Sequence, residues 1–214
     1  RALLDRAGDV ESYVRIVVTR GVGNSSYDFD AVVGPTVVMI QKELPAVSER
    51  SYTDGIRVSA VDVRRNHPQS LDPAIKSSNL LNNILALRQA QARGAEEAVL
   101  LNLDGFVAEG ASTNVFAVED GTLRTPPLGA GILGGITREI VIGLASSQGI
   151  PLSETDLKLA DLLRADEAFL SSTTREVMPI RQVDESLIAD GRPGPITGRL
   201  LEAFRTYAHT FRDR

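Results

Sequence analysis

The chain has 214 residues, 43% hydrophobic and 24% charged, which suits one large domain or one domain with part of another. A net charge of −5 and a pI near 5.2 argue against general nucleic-acid binding, and no apolar run is long enough to span a membrane. The absence of cysteine excludes disulfides and thiolate chemistry, and neither His67 nor His209, far apart in sequence, is expected to build a metal site or a triad.

Arg1-Ala2-Leu3-Leu4 opens in helix-like sequence without an initiator Met or a signal-peptide pattern, as in a fragment or a processed chain. A cytoplasmic protein is expected. Strands are predicted at 13–19 (YVRIVVT), 36–41 (TVVMIQ) and 56–63 (IRVSAVDV), with turns at Gly34-Pro35, Tyr52-Thr53-Asp54-Gly55 and Asn66-His67-Pro68. Apolar residues then recur at helical spacing over 80–93, and Gly94 suits the C-cap. Residues 97–102 and 106–109 pair across an Asp104-Gly105 hairpin turn, and 114–118 and 122–124 extend the sheet. An amphipathic helix spans 137–148. A strand near 151–154, a short helix at 157–163, strands at 167–171 and 177–183 and a terminal helix at 196–209 follow. Strands and helices mix without strict βαβ alternation, so the class is α+β.

Positive charge comes from twenty arginines and only three lysines, Lys42, Lys76 and Lys158. Lys76 stands where strand-like sequence gives way to a helix, in Ile75-Lys76-Ser77-Ser78-Asn79-Leu80-Leu81-Asn82-Asn83. An amine can be neutralised by burial and form a Schiff base; a guanidinium cannot. Taken singly, each motif has a plainer reading. A lysine before a helix is usually solvated, and Glu109 reads as a surface carboxylate at a strand end. Gly134-Gly135-Ile136-Thr137 is an ordinary helix start, and Ser171-Ser172-Thr173-Thr174 a loop whose hydroxyls bond local backbone. Arg15 reads as an exposed rung rather than an anion anchor, and Arg64-Arg65, although able to bind an anion, as a solvated edge. Spacing alone does not assemble these into a site.

Their order does. Tyr13-Val14-Arg15, the lysine segment, Glu109-Gly110-Ala111-Ser112-Thr113-Asn114, GGITRE at 134–139, DEAFLSSTTREVMPI at 166–180 and DGRPGPIT at 190–197 together resemble the class IV (fold type IV) aminotransferases, from Tyr13 to the last helix. The resemblance implies a large domain that binds pyridoxal 5'-phosphate (PLP) at 49–214, with a mixed, barrel-like sheet and flanking helices. Residues 1–48 would be the end of a small N-terminal α/β domain and the interdomain segment. It implies that Lys76 is the Schiff-base lysine, forming the aldimine with the cofactor, and that Glu109 pairs with the pyridine nitrogen. Ile136, Thr137 and Thr173 would bind phosphate and Leu133 would pack on the ring. Thr173 and Thr174, with Tyr13 and Arg15, would bind the substrate carboxylate.

Tyr-x-Arg at 13–15 and the Arg64–Ile75 run resemble branched-chain amino-acid aminotransferases in particular. These move an amino group to a 2-oxo acid, most often 2-oxoglutarate, and a homodimer is implied. Two departures matter. Leu80 stands where those enzymes commonly have tyrosine, so that Asn79-Leu80-Leu81 resembles D-amino-acid transaminases. Yet the loop Val22-Gly23-Asn24-Ser25-Ser26-Tyr27 lacks the Arg-x-His trap of the latter. D-amino-acid and (R)-amine transaminases and aminodeoxychorismate lyases share the scaffold, and a catalytically incomplete cofactor-binding module is the alternative from another class.

Overall fold

The computed structural model describes residues 2–8, 11–24 and 27–211; Arg1, Ser25 and Ser26 of the sequence motifs lie outside the described residues. The chain divides into two compact units, Arg1–Ala46 and Val47–Arg214. In the first, α1 (Ala2–Ala7) precedes an antiparallel ribbon of β1 (Ser12–Thr19) and β2 (Thr36–Glu43), registered from Ser12↔Glu43 to Thr19↔Thr36. Strand alternation puts Val14, Ile16, Val18, Val37 and Met39 on one ribbon face, all exposed. Tyr13 and Arg15 occupy the other face.

The second unit opens with α2 (Glu49–Asp54), where the sequence predicts only a turn. Ser48 explains it: its hydroxyl accepts from Arg50 N, capping a single helical stretch that Gly55 ends at φ 75°. The unit is built on β3 (Ile56–Ala60), β4 (Glu97–Leu101), β5 (Val107–Gly110), β6 (Asn114–Glu119), β7 (Thr122–Thr125), β8 (Leu152–Glu154), β9 (Glu167–Ser172), β10 (Glu176–Val183) and β11 (Ser186–Leu187). They form one nine-stranded mixed sheet in the order β5-β4-β3-β10-β9-β6-β7-β8, with β11 on β10. The pairs β3–β4, β3–β10 and β7–β8 are parallel and the rest antiparallel, and α3 (Leu81–Ala92) lies on the crossover from β3 to β4. The α+β class expected from the sequence is what the chain adopts. β3 stops three residues short of its expected end because Gln89 Oε1 of α3 takes the N–H groups of Asp62 and Val63.

One face of β6 and β9 is covered by α4 (Ile136–Ser147) and α6 (Pro195–His209). Phe116 and Phe169 stack there at 4.7 Å between ring centroids, packed with Val141, Ala145, Leu200 and Phe204. A second cluster joins Val58, Val99, Leu170 and Ile180 to Leu162 of α5 (Leu159–Arg164).

Glu167 fixes α6 to the sheet. Its buried carboxylate accepts from Ile196 N (3.0 Å), Thr197 N (2.7 Å) and Thr197 Oγ1 (2.7 Å), taking the donors that a helix start leaves unpaired. Glu167→Ala leaves those donors buried and unmet, so stability should fall by about 3 kcal/mol. A urea midpoint unchanged from wild type would contradict this.

Candidate active site

Four segments meet around Glu109. It lies on β5, in a strand buried along its whole length, so its carboxylate enters the interior, only 4% exposed. Arg65 Nε donates to Oε1 at 2.7 Å. Leu133 N donates to Oε2 at 3.0 Å, and Asn114 Nδ2, at 3.4 Å, reaches the same oxygen. Asn114 Nδ2 also donates to Leu133 O at 2.9 Å, which fixes the orientation of the amide. Arg65 is held in turn: Nη1 donates to Asn82 Oδ1 at 2.9 Å, and Asn82 Nδ2 donates to Arg64 O at 2.8 Å.

Burial dominates the electrostatics of Glu109, pushing its carboxyl up from 4.5 to about 7. The Arg65 guanidinium opposes that shift most strongly, followed by the Leu133 N–H, and the Lys76 ammonium adds a weaker attraction.

Next to this cluster, α4 begins at Ile136 with Gly135 as N-cap, and no side chain among the described residues caps it. Gly135 leaves room for Asn114: a Cβ there would lie 2.2 Å from Asn114 Oδ1 and would force that buried amide to move. On β9, Ser171 pairs with Asn114 and shares its face, and the buried Ser171 Oγ has no hydrogen-bond partner among the described residues. A buried acid, an open helix start and an unmet hydroxyl suit a ligand with a basic nitrogen at one end and an anion at the other.

A family model described as amino-transferase class IV matches residues 1–183. The chain belongs to this family. It is 43% identical over 195 residues to a Methanocaldococcus jannaschii protein provisionally named a branched-chain-amino-acid aminotransferase, covering 91% of this chain and 67% of that protein. It is 39% identical to the D-alanine aminotransferase of Listeria monocytogenes (strain 10403S), covering 89% of this chain and 65% of that one. Among solved structures it resembles the branched-chain amino acid aminotransferase from Thermobaculum terrenum in its PLP form, at a TM-score of 0.84 and 34% identity. That match covers 98% of this chain and 69% of the other. The chain thus spans about two thirds of the length of the relatives it matches.

In this class IV aminotransferase chain, the residues expected from sequence are distributed as follows. Glu109 and Leu133 share the cluster, and Thr137, buried, and Ile136 form the first turn of α4. Lys76 is exposed and lies in an irregular segment rather than at a strand-to-helix joint, since α3 starts only at Leu81. Asp72 shapes that segment by accepting from Ala74 N, and Ser77 does so by accepting from Asn79 N. Thr173 and Thr174 are exposed at the β9–β10 turn. The next two residues hold that turn. Arg175 reaches the buried Glu97 at 3.8 Å, and Glu176, at φ 52°, accepts from Arg205 Nε at 2.8 Å, whose guanidinium lies over the Tyr52 ring. Tyr13 and Arg15 belong to the other unit.

Two plain readings are corrected. Glu109 is not a surface carboxylate, and Arg65 is not a solvated edge: it is only 8% exposed, because its partner is an interior acid. Asn82 and Asn114 are the site residues that the sequence does not single out, whereas Arg65 is weighed there as an anion binder and set down as a solvated edge. The only local signal was that Asn114 ends the segment beginning at Glu109.

Proposed function

We propose that this chain carries the reaction centre of a pyridoxal 5'-phosphate-dependent transaminase that moves an amino group from a branched-chain amino acid to a 2-oxo acid, with 2-oxoglutarate the expected acceptor. The observation that carries the reading is the interior carboxylate of Glu109, met only by donors and joined through Asn114 and Leu133 to the open start of α4. The residues present fit the cofactor. Lys76 would hold its aldehyde carbon, Glu109 its ring nitrogen, and Leu133 its ring face. The N–H groups of Ile136 and Thr137, with the hydroxyls of Thr137 and Thr173, would hold its phosphate.

When bound, the cofactor supplies an aldehyde that links to amines and a ring that accepts an electron pair from the substrate α-carbon. The chain supplies the rest. Lys76 Nζ takes the α-proton and returns it to the neighbouring carbon, acting as base and then acid. Glu109 would present its carboxylate to the ring nitrogen. The first turn of α4 anchors the phosphate so that the transferred proton has a short path. Backbone amides at Thr173 and Thr174, together with Tyr13 and Arg15, are assigned to the substrate carboxylate on the family resemblance.

Exposed apolar residues on α3 and just before it, Leu80, Leu81, Ile84 and Leu85, support a homodimer as part of the proposal. A cytoplasmic location belongs to it too; no helix among the described residues is long and apolar enough to cross a membrane. A second reading, D-amino-acid transamination, is favoured by Leu80 and by the Listeria relative. A panel of L- and D-amino acids against the yellow, cofactor-loaded protein separates the two. Bleaching by L-leucine and L-valine is the expected result. Bleaching by D-amino acids alone moves the assignment to the second reading, and a protein that takes up cofactor but answers neither set is a binding module.

A further inference from the structure

The three hydrogen bonds to Glu109 have one property in common: every partner is a donor. Arg65 Nε, Leu133 N and Asn114 Nδ2 can give a proton to the carboxylate, and none of them can accept one from it. The three partners therefore favour the anion, against the burial that raises the carboxyl to about 7. Of the charged groups acting on Glu109, Arg65 is the buried one in direct contact, while Lys76 is exposed and acts more weakly. Arg65 also has little freedom to leave, since Asn82 holds its Nη1 and its own N–H donates to Leu101 O at 2.9 Å.

We propose that Arg65 is the positioning residue that decides where the proton between Glu109 and a bound heterocycle resides: by holding the carboxylate as an anion, it leaves that proton on the ring nitrogen. The proposal rests on reading Glu109 as the partner of that nitrogen. A carboxyl buried without a cation keeps its proton, because burial disfavours the charged form. A neutral carboxylic acid would only donate a hydrogen bond to the ring nitrogen, and an unprotonated ring is the poorer acceptor of electrons. Arg65 touches neither substrate nor the reacting carbon in this scheme; it acts through Glu109.

The first test needs no cofactor. In the cofactor-free full chain, the Glu109 carboxyl band is followed by infrared difference spectroscopy across pH and assigned as the band absent from Glu109→Gln. Its midpoint in the wild type is expected at about 7. Arg65→Gln should raise it by about one unit or more, and Arg65→Lys, which keeps a cation without the planar fork, by less.

The second test loads each variant with pyridoxal 5'-phosphate or with its analogue carrying C–H in place of the ring nitrogen. The rate of the half-reaction with the amino acid found active above is then compared. Arg65→Gln should slow the natural cofactor about 100-fold, and it should slow the carbon analogue far less. Equal losses with both cofactors, or an unshifted carboxyl band, would overturn the proposal and make Arg65 a purely structural residue. If Glu109→Gln matches wild type, the reading of Glu109 itself is lost. If Glu109→Gln is slow while Arg65→Gln is not, that reading stands and this one falls. Should Arg65→Gln fail to fold, Arg65→Lys carries both measurements, and Arg65→Gln/Glu109→Gln shows whether an uncompensated buried charge was the cause.

Discussion

Lys76→Ala should abolish transamination and the borohydride-stable attachment of cofactor together. The amine is assigned two tasks, holding the cofactor carbon and carrying a proton between two carbons, and each is worth orders of magnitude. Turnover is expected to fall at least about 10³-fold. Because Lys76 is exposed in a loop, the variant should fold and melt as the wild type does. With Lys42 and Lys158 the only other lysines, peptide mapping of the reduced adduct reports directly which amine was used. Full turnover by Lys76→Ala, or an adduct at one of the other two lysines, would remove Lys76 from the reaction.

The second large effect belongs to Glu109→Gln, an exchange that keeps shape but removes the charge. Cofactor should still bind through the α4 start, while α-proton removal slows about 10²- to 10³-fold, the usual cost of losing one preorganised electrostatic partner. Unchanged rates would show that charge at this position does not assist the chemistry. The same substitution changes how stability depends on pH in the cofactor-free chain. The carboxyl is raised from 4.5 to about 7 on folding, so the folded chain binds more protons than the unfolded chain across that window. Its contribution is fully present below about 4.5 and is lost as pH rises towards 7. Denaturation of the wild type at both ends of the window should show this slope, and Glu109→Gln should lack it.

What sequence revealed here followed the range of the interactions. The Asp104-Gly105 hairpin was legible because its chemistry is local: Asn102 Oδ1 accepts from Asp104 N and Phe106 N within one turn. Helix α4 was legible from its apolar stripe and its glycines. Lys76 and Glu109 stand out in the sequence only as members of an ordered set of family motifs, and their roles remain part of the proposal. Arg65 was misread because its partner lies 44 residues away, and nothing in Arg64-Arg65-Asn66 announces an interior acid. The tie from Glu167 to the start of α6, 30 residues on, was invisible for the same reason. The end of β3 depended on the Gln89 side chain, and no propensity encodes that contact.

Asn114 has a consequence for the proposed site as a whole. One amide bonds Leu133 O and Glu109 Oε2, and its oxygen abuts the glycine that opens α4. One buried amide thus ties the interior acid to the glycine at the mouth of the helix before any guest arrives, so a change at Asn114 would be felt at both ends of the proposed site at once.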